Sequence, residues 1–162
     1  MQALPGNTIG QAAFSLSGFG DPSAILRRAQ GEVFGLCNML EEIADSLPGK
    51  LDRRKCQLAA TSIEPLLFDV HRFEESSIFP VARRELHRLG APSQCIDRLE
   101  AEHVEDQGFA GELAAALGNA MEGGNFHADT LGYMLRGFFD SVRRHTAFER
   151  DYLLVLIDPD WR

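Results

Sequence analysis

Residues 64–82 read EPLLFDVHRFEESSIFPVA, and the spacing within them decides the fold. Glu64, Phe68, His71, Glu75, Ile78 and Ala82 recur at intervals of four and three, which is one face of an α-helix and not the alternation of a strand. That face carries an imidazole and a carboxylate four positions apart, where a core should be apolar. Side chains at this spacing project side by side, about 6 Å apart at Cβ, and can reach a common centre. Asp52 is a capping residue for this helix, Pro65 predicts a kink in its first half, and Pro80 predicts its weakening beyond Phe79.

Three more segments repeat the pattern on either side. Asp21-Pro22 pairs a cap with a proline at the first helical position, and Leu26, Gln30, Val33, Cys37, Leu40, Ala44 and Leu47 follow on one face before Pro48-Gly49. After Gly90-Ala91-Pro92, Ser93 is expected to cap a helix with Ile96, Leu99, His103, Ala110, Leu113 and Leu117 inward. Beyond Gly123-Gly124-Asn125, a fourth helix has Leu131, Leu135, Phe138, Val142, His145, Glu149, Tyr152 and Leu156, ending before Pro159. Short connections favour antiparallel neighbours. The sequence therefore predicts an all-α, up-down-up-down four-helix bundle over residues 21–158, preceded by a short irregular leader, residues 1–20, broken by Pro5, Gly6, Gly10, Gly18 and Gly20.

Composition narrows the function. The 162 residues suit one domain with a sizeable core. A net charge of -8 disfavours nucleic acid and anionic membrane surfaces as partners. No apolar run has the length of a membrane span, and the leader lacks the basic start of a signal peptide. Cys37, Cys56 and Cys95 are too few and too irregular for a disulfide framework, so buried reduced thiols and a cytoplasmic protein are expected.

The polar seam residues cluster by height. Counted from the end where the first and third helices begin and the second and fourth finish, Gln30, His71, His103 and His145 agree in level within roughly 6 Å. With Glu75 and Glu149, all four helices deliver polar groups to one layer. One such residue would be an ordinary core histidine or a seam-edge glutamate. Several together leave buried carboxylates that cost several kcal/mol unless a positive charge meets them. A metal supplies that charge, whereas a buried His–Glu salt-bridge network is the alternative. Mixed imidazole and carboxylate donors suit iron, manganese or zinc, as a single ion or as a carboxylate-bridged pair. His87, His127 and Glu74 are expected to be solvated, and Glu64 lies two turns from His71, too far to share its ion.

The stretches VHRFEESSIFP (70–80), AEHVED (101–106) and RRHTAFERDYL (143–153) resemble the hemerythrin-like, HHE cation-binding domains over most of residues 22–157. The resemblance implies a non-haem centre of two irons, bridged by Glu75 and Glu149 and held by His71, His103 and His145, with a coordination position for oxygen, nitric oxide or another small diatomic ligand. The family's first-helix histidine is absent, and Gln30 stands at the equivalent seam position. The first iron position is then weak or empty, with Gln30 either a neutral ligand or a core amide. Three functions follow: a module that binds or senses oxygen, nitric oxide or iron and signals through a regulatory partner or a homodimer; a peroxidase, ferroxidase or nitric oxide reductase on the same metals; or a regulatory bundle that has lost strong metal binding.

Overall fold

The computed structural model describes residues 21–123 and 126–158; the expected leader at residues 1–20 lies outside them. The Asp21 carboxylate accepts from the backbone N–H of Ser23 and opens α1 (Pro22–Ser46). Asp52 accepts from Arg54 N and Lys55 N at 3.0 and 3.1 Å and opens α2 (Arg53–Phe73). The second long helix does not stop near Phe79. It passes through a π-helical turn, Glu74–Ile78, into α3 (Phe79–Arg88). Pro80 has no N–H for the carbonyl of Ser76, and the wide turn lies where that bond is missing. Pro65 sits within α2, on its solvent side.

Gly90, at a φ of 66°, ends α3 in the left-handed conformation that glycine adopts without strain. Ser93 does not cap α4 (Gln94–Met121) through its hydroxyl, contrary to expectation; its backbone carbonyl accepts from Ile96 N and Asp97 N instead. The fourth long helix comprises α5 (Ala128–Phe148), a second π-helical turn, Glu149–Leu153, and α6 (Leu154–Ile157). No strand occurs among the described residues. The helices α1, α2, α4 and α5 form a square in which α2 packs mainly on α4 and α1 mainly on α5. The protein is an all-α four-helix bundle.

Two apolar clusters fill it. The larger joins Val33, Cys37, Leu67, Leu113, Leu135 and Phe138 with their neighbours; the smaller joins Leu26, Ile78, Phe79, Ile96, Leu99 and Leu154. The inward faces of α1 and α4 are those the spacing predicts, save that Leu47 lies half-buried past the end of α1. The inward face of α2 is not. Ile63, Leu67, Val70 and Glu74 point in, while Glu64 is exposed and Phe68 is 53% exposed. His71, Ile78 and Ala82 of the expected face are buried, but before His71 the seam lies about one residue away, because a stripe through Ile63, Leu67 and Val70 buries more apolar surface. Beyond Glu149 the π-helical turn likewise moves burial to Leu153 and Leu154 and leaves Tyr152 exposed.

Cys37 and Cys56 are fully buried, and burial pushes the Cys37 thiol up to about 12. Cys95 is half-buried. A thiol reagent should therefore label the folded protein at Cys95 alone and all three cysteines after unfolding. Mass-spectrometric mapping of native labelling at Cys37 would contradict this packing.

Candidate metal centre

Both π-helical turns begin on a glutamate. Phe79 N–H donates to the Glu74 carbonyl and Leu154 N–H to the Glu149 carbonyl, five residues back in each case. Single turns of this kind recur at functional sites. Here each holds one carboxylate inside the bundle, with Glu74 and Glu149 both 1% exposed. The inward carboxylate on the second helix is therefore Glu74, which the sequence reading placed in solvent. Glu75, expected there, has a side chain 46% exposed and lies on the outer side of His103.

Helices α4 and α5 supply the imidazoles. His103 Nε2 and His145 Nε2 face each other at 3.2 Å. Glu74 Oε2 lies 3.4 Å from the first nitrogen, and Glu149 Oε1 lies 3.4 Å from the second. Neither oxygen accepts a hydrogen bond. Donor atoms of Glu74, His103, His145 and Glu149 lie within 4.8 Å of one another, and all four residues are buried. The opposite ring nitrogens face outward: His103 Nδ1 is 2.8 Å from Glu75 Oε1, and His145 Nδ1 is 3.1 Å from Glu102 Oε2.

His71 stacks on His103, with ring centroids 3.9 Å apart and planes within 2°, and its Nδ1 lies 3.4 Å from the amide of Gln107. His71 lines a cavity of about 10 Å³ with Gln30, Glu74, Asp106, His145 and Glu149, space for one water or ion. Gln30 is buried, and its Nε2 has no hydrogen-bond partner. Asp106, also buried, was missed by the sequence reading, although it occupies the seam position between His103 and Ala110. Of the residues expected at the centre, then, His103, His145 and Glu149 converge, His71 and Gln30 line the adjoining cavity, and Glu75 stays outside.

The electrostatics follow from carboxylates and imidazoles buried side by side. Burial, reinforced by Glu149, raises the Glu74 carboxyl well above its ordinary range. Burial pushes His71 down to about 2, helped by His103 and His145, so this ring is neutral. Burial also lowers His103 despite the opposing pull of Glu75. Burial acts to lower His145 as well, but Glu149, Asp106 and Glu102 outweigh it and raise the ring. Burial lifts Asp106 against the attraction of His145.

A cation fits this donor set. Bonds of about 2.1 Å separate neighbouring donors by about 3.0 Å at right angles and about 3.4 Å in a tetrahedron. Three of the donor separations, 3.2, 3.4 and 3.4 Å, lie in or near that range. The two carboxylate oxygens without hydrogen bonds are those a cation would satisfy.

Without metal, a raised carboxyl such as Glu74 contributes stability below its unfolded-state pKa, and that contribution is lost as pH rises. Glu74→Gln does not titrate. In chelator it should melt higher than the parent chain, by a margin that widens from about pH 5 to about pH 8. A margin independent of pH, read from thermal melts, would refute the assignment of Glu74 to the interior.

The family model of the hemerythrin HHE cation binding domain matches residues 21–157. Comparisons with curated proteins and with solved structures give no match. The matched span contains all four long helices and every residue of the centre, and the chain belongs to the hemerythrin HHE cation-binding domain family.

Proposed function

We propose that this protein is a non-haem iron protein that binds or senses a small diatomic ligand, oxygen or nitric oxide. The observation that carries the reading is the convergence of two imidazole nitrogens and two carboxylate oxygens inside a buried layer. Glu74, His103, His145 and Glu149 hold one ion. His71, Gln30 and Asp106 border a second position where His71 is the one imidazole not already given to the first ion and Gln30 is neutral, so a second ion binds more weakly. Bound iron supplies a redox-active Lewis acid with coordination positions open to a diatomic molecule. The apolar clusters on both sides exclude water from it and bias it toward uncharged ligands.

Because the ligands come from three helices, metal and fold are coupled. Gain or loss of the ion changes the stability of the bundle, and that change is what a regulatory partner or a second copy of the chain would read. No helix among the described residues is long and apolar enough to cross a membrane. Free cysteines fit a reducing compartment such as the cytoplasm.

Protein purified from iron-supplemented cells should retain about one iron per chain after dialysis and take up a second only in excess metal. Nitric oxide should then change its visible spectrum stoichiometrically, and His103→Ala should abolish both effects. A colourless preparation that takes up no ferrous iron, with the same melting temperature in chelator, sinks the reading. Sustained turnover of peroxide or nitric oxide would move it to an enzyme.

A further inference from the structure

Each imidazole of the centre stands between two carboxylates. Glu74 Oε2 faces Nε2 of His103 from within, and Glu75 Oε1 takes Nδ1 of the same ring from outside. Glu149 Oε1 and Glu102 Oε2 bracket His145 in the same manner. The inner carboxylates are buried; the outer ones reach solvent, with side chains 46% and 29% exposed. We propose that Glu75 and Glu102 are positioning residues, which fix the tautomer and angle of His103 and His145 so that both Nε2 atoms present lone pairs to the cation. The proposal rests on the functional reading above and gives that site its outer supports.

The tautomer follows from elementary chemistry. An ionised carboxylate only accepts hydrogen bonds, so an Nδ1 that pairs with Glu75 at 2.8 Å or Glu102 at 3.1 Å must carry the hydrogen. In a neutral ring Nε2 then bears a lone pair. Two such lone pairs 3.2 Å apart repel unless a cation or a proton lies between them. The charge on the outer carboxylate also makes the imidazole a more basic ligand. The two supports differ in their own anchorage. Arg98 Nε donates to Glu102 Oε1 at 2.7 Å, whereas Glu75 depends on its place in the π-helical turn beside Glu74. Consecutive glutamates thus serve one histidine from opposite sides, which a regular His-x-x-x-Glu reading of residues 71–75 does not anticipate.

The test uses the full chain with Co(II) as the metal, its dissociation constant measured by chelator competition. Glu75→Ala and Glu102→Ala should each weaken binding by about 10–100-fold. Glu75→Gln and Glu102→Gln, which retain an accepting oxygen but no charge, should fall between these and the parent chain. Glu100→Ala, whose carboxylate pairs with Arg83 on the surface, should stay within about twofold as the control. Imidazole ¹⁵N shifts of the metal-free protein give an independent readout: His103 should carry its proton on Nδ1, and Glu75→Ala should spread it over both nitrogens. Alanine variants that bind cobalt like the parent chain overturn the proposal and leave the functional reading intact. A parent chain that binds no cobalt removes the functional reading, and the His103 tautomer still decides whether Glu75 orients that ring, a proton on Nε2 overturning it.

Discussion

Four electron-pair donors, two imidazole nitrogens and two carboxylate oxygens, point at one another inside a layer closed on both sides by hydrocarbon. The rest of the structure is organised around that conflict. In water such groups would separate or bind protons; here, helices locked by apolar packing hold them in place. Buried carboxylates of this kind cost several kcal/mol when unpaired. Without a metal, the raised Glu74 carboxyl and the raised His145 ring indicate where protons take its place. A cation relieves all four donors together, so the energy that packing spends on holding them apart from water becomes affinity.

The two π-helical turns are how the chain delivers the carboxylates. Each begins on its glutamate and closes with residues of the smaller apolar cluster at its end and just beyond, Ile78 and Phe79 in one case and Leu153 and Leu154 in the other. An ordinary helix repeats its inward face every three or four residues. The extra residue in each wide turn lets a glutamate occupy the inner face and returns the next apolar pair to it. Function and packing are met by the same local irregularity, and it occurs on the second and fourth helices alike.

The four segments and their antiparallel order were legible because periodicity and breaker residues agreed. For α1 and α4 the same spacing also identified the buried face. For α2 two stripes compete. Glu64, Phe68, His71 and Glu75 share one with the motif, while Ile63, Leu67, Val70 and Glu74 form another, one residue away and more apolar. The stripe that contains the motif puts Glu75 inside and Glu74 in solvent, whereas burial of three aliphatic side chains favours the other and reverses the two. Asp106 was legible too, since its position completes the inward series of α4 between His103 and Ala110. The π-helical turns were not. They depend on tertiary packing, and the sequence offers only the missing N–H of Pro80 as a sign of the first.

The unequal contributions of the four helices bear on what the centre does. The donor set that converges comes from the second, third and fourth long helices, and α1 brings only the neutral amide of Gln30 to the adjoining cavity. An amide neither compensates a second metal charge nor attracts a proton. His71, stacked flat on His103 and held neutral, likewise adds no charge on that side. The cavity shares Glu74 and Glu149 with the first ion, and Asp106, raised by burial, is the one further carboxylate on that side. This asymmetry favours one firmly held ion with an uncharged molecule next to it over two ions of equal affinity. It also leaves α1 at the edge of the site, where Gln30 and Val33 line the cavity without supplying a charged donor, which makes it the helix whose position is least fixed by the metal.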